Sequence, residues 1–200
     1  MAIAGMRNAG RLSRPAIRPA LPPFARRLLA VCTVLLLTCG PHTSVSAVET
    51  TYLSRGDFLA TVFGGTAPEP RLLWLNAGMK TDVREILGHA YPGIRIRYWS
   101  RGFLTAWILE EIGKYKPITV GIAVKDGKIE RFQVLVYRES HGWEVRYPFF
   151  TNQFQDIRLT DDRNLSREID GISGATLSVN ALTRLARLAL YFHQQAVGRP

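Results

Sequence analysis

Two β-rich runs joined by a tight turn are the feature that most constrains the fold. Residues 118–124 and 129–137 are rich in β-branched and aromatic side chains, and Asp126-Gly127 between them is a turn pair typical of a β-hairpin. Residues 177–195 instead place apolar side chains three and four positions apart, which is the spacing of one helix face. A hairpin and an amphipathic helix together predict an antiparallel sheet with packed helices, an α+β domain.

Shorter patterns predict further elements between the amino terminus and the hairpin. Residues 55–63 and 81–87 predict helices, with Thr81 as the capping residue of the second. Residues 94–99 alternate apolar and basic side chains and predict a half-buried strand. Residues 107–113 have helical spacing and end at a glycine, and residues 144–147 predict a short strand.

Most of the large aromatic side chains are expected in the core, because aromatic residues are mostly buried. They are Trp74, Trp99, Trp107, Phe149 and Phe150. His89 and His193 are expected at the surface or in partly buried helices. No metal site is predicted, because no group of potential ligands surrounds either histidine.

The first 47 residues predict an export signal. Six arginines and no acidic residue precede Glu49, the apolar run of residues 28–37 follows them, and residues 45–47 are small enough for cleavage. The apolar run is shorter than the roughly 20 residues that a membrane-spanning helix needs. We therefore expect a periplasmic protein, with retention of the signal as an N-terminal anchor as the alternative.

Charge and cysteine content exclude several classes of function for the exported part. Removing the six leader arginines from 26 basic residues leaves 20 against 16 acidic ones, a scattered excess of about four that does not indicate a nucleic-acid partner. Both cysteines, Cys32 and Cys39, lie in the leader. A mature chain without them has no disulfide, thiolate zinc site, iron–sulfur cluster or thioether-linked haem, so any redox cofactor is held in another way.

A loop of small residues leads directly into the last predicted helix. Between Asp170 and Thr176 only Ile172 is large. A helix N-terminus attracts phosphate through its free N–H groups and its dipole, and glycine lets the backbone approach a ligand closely. The alternative is an ordinary turn in which Ser173 or Thr176 caps the helix. The loop lacks the lysine of a phosphate-binding P-loop, and its second glycine comes one residue too early for a hydrolase nucleophile elbow.

The stretch Asp170-Gly171-Ile172-Ser173-Gly174-Ala175-Thr176 resembles the flavinylation signature of the FMN-binding domain family. That family includes the covalent-flavin subunits of the sodium-translocating NADH:quinone oxidoreductase and of the RNF-type electron-transport complex. The resemblance implies a single FMN-binding domain in which a flavin transferase moves FMN from FAD onto Thr176 through a phosphoester. It also implies FMN-binding positions around the acceptor. These are Asp170, Ser173, Gly174, Ala175 and Leu177.

The resemblance extends weakly upstream and sets the expected domain boundaries. Residues 113–196 would form the FMN-binding domain, and residues 48–112 a helical or mixed N-terminal extension. It also places a loop that closes on the flavin at Glu139, Ser140, Gly142 and Trp143. In that loop Trp143 would stack on the flavin ring and Ser140 would hydrogen-bond its polar edge. The alternative is an ordinary loop with one exposed aromatic residue.

The resemblance, together with the predicted export signal, implies an extracytoplasmic electron-transfer flavoprotein without catalytic residues of its own. Its expected partners are a flavin transferase and redox proteins in or at the membrane. The alternatives are a periplasmic flavin reductase that uses the bound FMN on a terminal acceptor, and a binding module in which the loop is only a cap. About 150 mature residues leave little room for a substrate domain, which favours the carrier.

Overall fold

The computed structural model describes residues 50–198. The predicted export signal and both cysteines lie outside these residues.

A six-stranded antiparallel sheet forms the centre of the described part of the chain. The strands are β1 (Thr50–Thr51), β2 (Arg71–Trp74), β3 (Arg95–Arg101), β4 (Leu104–Ile112), β5 (Pro117–Lys125) and β6 (Lys128–Tyr137). Their order in the sheet is β1-β6-β5-β4-β3-β2. Packed helices accompany this sheet, which confirms the predicted α+β class. They are α1 (Arg55–Phe63), α2 (Ala77–Leu87), α3 (Pro148–Thr151) and α4 (Thr176–Val197).

The predicted hairpin is confirmed as β5 and β6. Lys125 pairs with Lys128, so the turn contains only two residues. Asp126 and Gly127 both have positive φ, at 50° and 73°. A turn with positive φ at both central residues has the twist that matches paired strands, and Asp-Gly is a sequence that adopts it.

The two faces of the sheet have different partners. On one face Ile118, Val120 and Ile122 belong to the main core with α4. On the other face α1 packs its Phe58 directly onto Gly121. A Cβ on Gly121 would lie 2.8 Å from carbons of the Phe58 ring, so only glycine allows this close approach.

The helix predicted for residues 107–113 is wrong, because residues 107–112 belong to strand β4. Trp107 and Leu109 face the main core, while Ala106 belongs to the second core cluster on the other face. A strand that is buried on both faces has a nearly continuous apolar sequence, and periodicity does not distinguish it from a helix.

Two further elements differ from the prediction, one in its first residue and one in its type. Helix α2 begins at Ala77 rather than near Thr81, because the Asn76 side chain caps it by accepting the N–H of Met79 at 2.9 Å. The strand predicted at 144–147 is a 3₁₀ turn, Trp143–Arg146. Pro148 follows this turn and lacks the N–H that a strand ladder requires.

The core prediction is correct for Trp107 and Phe150 and wrong for Trp74 and Phe149. Trp74 is 58% exposed, because it lies on the edge strand β2 and points away from the neighbouring Leu73. Phe149 is 62% exposed, because its neighbour Phe150 takes the inward position of the short helix α3. His193, expected at the surface or in a partly buried helix, lies in helix α4 and is only 1% exposed, so it is more buried than predicted.

Candidate functional site

A cavity of about 480 Å³ lies where the start of α4 meets the loop after β6 and the turn between β4 and β5. Three segments far apart in the sequence line it. The lining residues are Lys114, Tyr115, Glu139, Ser140, His141, Gly174, Ala175, Thr176, Leu177 and Ser178.

Helix α4 begins at this cavity without a side-chain cap. Ala175 occupies the capping position, and Gly174 before it has a positive φ of 81°. The alternative in which Ser173 or Thr176 caps the helix is therefore wrong. The first N–H groups of a helix have no acceptor within the helix, so this end presents free donors and a partial positive charge.

Thr176 is the first residue of the 22-residue helix, and its side chain is exposed. Its hydroxyl group has no hydrogen-bond partner among residues 50–198. Ala175 before it is buried and small, and Leu177 after it is exposed. Thr176 thus lines the cavity and is also exposed to solvent.

The loop after β6 packs closely against the start of α4. A Cβ on Gly142 would lie 3.0 Å from both the Ala175 Cβ and the Tyr137 hydroxyl oxygen, and Gly142 has a φ of 81°. The Tyr137 hydroxyl donates to the His141 carbonyl at 2.6 Å and shares a hydrogen bond with the Ser178 hydroxyl at 3.0 Å. Burial raises the pKa of the Tyr137 phenol, so it stays protonated and joins loop to helix.

Glu139 lines the cavity, but its carboxylate holds the β4–β5 turn. A single oxygen, Oε1, accepts the backbone N–H groups of Lys114, Tyr115 and Lys116 at 2.6, 2.6 and 2.9 Å. Hydrogen bonds to an ionised acceptor are stronger than neutral ones. Glu139 therefore positions Lys114 and Tyr115 at the cavity wall.

Trp143 does not line the cavity. It lies beside Arg146, whose guanidinium is 5.2 Å from the centre of the Trp143 ring and 4.2 Å from that of Tyr52. The rings of Trp143 and Tyr147 also pack at 79° to each other, with centroids 5.6 Å apart. The structure thus places Trp143 in an aromatic cluster around a cation.

Asp170 and Ser173 are exposed and also lie outside the cavity lining. The backbone N–H of Asp170 donates to the Gln153 side chain at 2.8 Å, and Arg167 donates to the Gln153 carbonyl at 2.6 Å. These bonds tie the loop before α4 to the segment after α3.

The structure brings together most of the predicted site. Glu139, Ser140, Gly174, Ala175, Thr176 and Leu177 line one cavity, and Gly142 packs against Ala175. Sequence reasoning missed Lys114, Tyr115, His141 and Ser178. Lys114 and Tyr115 would have been found if residues 107–113 had been interpreted as a strand, because residues 114–116 then join two strands. No group of three or more His, Cys, Asp or Glu side chains within residues 50–198 could hold a metal ion.

Comparison with known proteins gives one family match. Residues 113–191 match the family model of the FMN-binding domain. The matched segment contains β5, β6, the cavity loop and most of α4. Comparison with curated proteins gives no match. None of the helices within residues 50–198 has the length and apolar character to cross a membrane.

Proposed function

Because residues 113–191 make this chain a member of the FMN-binding domain family, we propose that it carries FMN as a phosphoester on Thr176 and transfers electrons outside the cytoplasm. The domain makes the protein an FMN-binding flavoprotein. The observation that carries the finer proposal is the exposed, unbonded hydroxyl of Thr176 at the uncapped start of α4.

The small residues around Thr176 leave its hydroxyl open to a separate modifying enzyme. A threonine hydroxyl is a weak nucleophile unless another group activates it. A flavin transferase would supply that activation and use FAD as the donor. The Thr176 oxygen forms a bond to the phosphorus of the FMN half, the pyrophosphate P–O bond breaks, AMP leaves, and the hydroxyl proton passes to a base of the transferase.

The start of α4 orients a phosphate but does not retain a free cofactor. A helix terminus stabilises a nearby anion by about 0.3–1 kcal/mol. Micromolar retention requires roughly 8 kcal/mol. A covalent bond at Thr176 removes this deficit, which matters most outside the cytoplasm, where free FMN is scarce.

The cavity residues fit the rest of the cofactor. A volume of about 480 Å³ is within the usual range for small-molecule sites. Tyr115 and Leu177 expose apolar surface beside Thr176, while Lys114 and Ser140 add polar groups. FMN, when bound, supplies one- and two-electron transfer. The residues of the chain hold and orient it, and we assign none of them a catalytic role.

The proposed periplasmic location and the proposed partners are argued from the amino-acid sequence alone. The arginine-rich start and the apolar run of residues 28–37 favour a periplasmic location. A chain that crosses the membrane unfolded receives its cofactor afterwards, so the transferase would be its first partner. Redox proteins in or at the membrane would then donate and accept the electrons.

The test is co-expression with a flavin transferase in the periplasm, followed by denaturation, in-gel flavin fluorescence and intact-mass measurement. We expect a fluorescent band with an FMN-sized mass increase for the wild type. Thr176→Ala should abolish both signals. Thr183→Ala is the matched control, because Thr183 lies on the same helix and donates its hydroxyl to the Val179 carbonyl. A covalently labelled Thr176→Ala variant would disprove the site, and an unlabelled wild type beside a labelled reference acceptor would disprove the proposal.

A second measurement separates the carrier from the reductase. The reduced, flavin-loaded protein is mixed with candidate small-molecule acceptors in the absence of any protein partner. We expect the flavin to be reoxidised slowly, at a rate that rises linearly with acceptor concentration, because a carrier does not bind the acceptor first. Fast reoxidation at a rate that saturates with one small molecule would identify a reductase instead.

A further inference from the structure

A second cavity opens where strands β3 and β4 part. Their ladder ends at the pair Tyr98–Trp107, yet β3 starts at Arg95 and β4 continues to Ile112. Residues 95–97 pair only with β2, and residues 108–112 pair only with β5. A cavity of about 600 Å³ lies at this fork and is closed on one side by the loop after α2.

Three arginines line the fork cavity without a carboxylate partner. They are Arg55, Arg95 and Arg97, and all three are exposed. No acidic side chain of residues 50–198 forms an ion pair with any of them. Arg95 has an aromatic contact, with its guanidinium 5.4 Å from the centre of the Trp74 ring. Arg95 and Arg97 are two residues apart on one strand, so their side chains leave the same face.

The acidic residues of the fork cavity are already paired. Glu111 is buried and accepts hydrogen bonds from His89 at 3.0 Å and Arg184 at 2.9 Å. Glu110 accepts the Thr119 hydroxyl at 2.6 Å and lies 3.8 Å from the Arg138 guanidinium. The net charge left for a ligand is therefore positive.

Apolar side chains lie beside these cations. Leu72, Trp99, Ile108 and Ile112 line the same cavity, and Leu72 and Ile112 are exposed. The guanidinium group is planar and weakly hydrated, so it binds carboxylate-type groups and also stacks on flat rings. A cavity with both features fits an organic anion better than an inorganic one, and 600 Å³ is within the range of small-molecule sites.

We propose that the fork cavity binds an anionic aromatic molecule, with its acidic group on Arg95 and Arg97 and its ring against Leu72, Trp99 and Ile108. Apart from Pro117, its lining lies before residue 113, outside the segment that matches the FMN-binding domain. The inference does not depend on a covalent flavin, because no cavity residue is shared with the site at Thr176.

The test uses two fluorescent probes that share an aromatic body, anilinonaphthalene sulfonate and the uncharged N-phenylnaphthylamine, titrated into the purified full chain. We expect saturable binding of the sulfonate. The double variant Arg95→Gln/Arg97→Gln should weaken it about tenfold or more, because hydrogen bonds to charged groups are lost. Binding of the neutral probe should change little. Arg131→Gln is the matched control, because Arg131 is an exposed strand residue outside the cavity.

A second variant tests the location without changing charge. Leu72→Trp should fill the cavity mouth and weaken both probes, and Leu72 is exposed enough to accept the larger side chain. Sulfonate binding within about twofold of wild type in the double arginine variant would overturn the proposal. Unchanged affinity for both probes in Leu72→Trp would also overturn it.

Discussion

Glu139 organises a turn with one oxygen atom, and this role explains its position at the cavity better than direct contact with a ligand. Its Oε1 is the common acceptor of three consecutive backbone N–H groups, at residues 114–116. The same turn supplies Lys114 and Tyr115 to the cavity wall. Glu139 is therefore a positioning residue in our interpretation.

Glu139→Ala should free this turn, because it removes the shared acceptor. We expect amide hydrogen exchange at residues 114–116 to become about tenfold faster, since each bond to a charged acceptor contributes about 1.5–3 kcal/mol before solvent screening. Glu139→Gln keeps a carbonyl oxygen and should lose much less protection. Unchanged exchange in Glu139→Ala would show that other contacts hold the turn.

His193 is a buried histidine whose hydrogen bonds require the neutral ring. The N–H of Gly127 points to its Nε2 at 3.3 Å, so Nε2 is an acceptor and Nδ1 carries the proton. Nδ1 then donates to the Thr105 hydroxyl at 2.8 Å, which also accepts the Trp107 indole N–H. Burial lowers the pKa of His193 to about 4.

His193 should make the protein less stable as the pH falls. In the unfolded chain its pKa returns to about 6.5, so between about pH 6.5 and 4 the unfolded state binds more protons. Stability is lost on acidification through this window, by up to about 3 kcal/mol. Urea unfolding of His193→Gln should lack this loss relative to wild type, whereas His141→Gln, at an exposed position, should keep it.

The pH dependence of stability must be compared between His193→Gln and wild type, because His89 contributes a pH dependence of the opposite sign. Its hydrogen bond to Glu111 raises the pKa of His89, so its contribution is present at low pH and is lost as the pH rises. An identical pH slope in His193→Gln and wild type would contradict the assignment.

The sequence predicts those helices and strands whose pattern lies within one segment, but it does not predict which segments meet in the folded chain. The β5–β6 hairpin and α4 follow from turn chemistry and periodicity within one segment. Strand β4 does not follow from periodicity, because both of its faces are buried and its sequence is therefore almost continuously apolar. Thr176 was found from its motif, but the turn of residues 114–116 reaches the same cavity only through strand pairing, which no local pattern encodes.

Gly121 should be intolerant of any side chain. A Cβ there would lie 2.8 Å from carbons of the Phe58 ring, which is fully buried and packed within the second core cluster. We expect Gly121→Ala to destabilise the fold by about 1–3 kcal/mol in chemical denaturation. Phe58→Leu in the same chain should recover part of this loss, since neighbouring substitutions are not additive.

Gly56→Ala provides the matched control for Gly121. Its Cβ would lie 3.7 Å from the nearest atom, and alanine is the better helix former in α1. We expect no destabilisation. An equal cost at both positions would show that steric contact with Phe58 is not the cause.

For the whole molecule, the sheet joins the segment that matches the family model to the chain before it. Strand β5 pairs with β4 along its whole length, and β4 lies before residue 113. Trp107 of β4 is fully buried and stacks on Tyr98 with ring centroids 4.8 Å apart. The predicted boundary at residue 113 therefore falls in the turn between two paired strands.

A fragment of residues 113–198 should not fold alone, because β5 would lose β4 and expose its apolar face. We expect far-ultraviolet circular dichroism of a disordered chain and no cooperative thermal transition. A fragment of residues 48–200 is the control and should unfold cooperatively. Cooperative melting of the shorter fragment would show that the matched segment is an independent domain.

The outer strands of the sheet also bear on how the protein behaves at high concentration. Within residues 50–198 one edge is β2, with four residues, and the other is β1, which begins at the first described residue. Long edge strands act as templates for pairing with other chains, and very short ones do not. The short β2 edge therefore gives another chain little backbone to pair with, which disfavours strand-to-strand polymers at that edge.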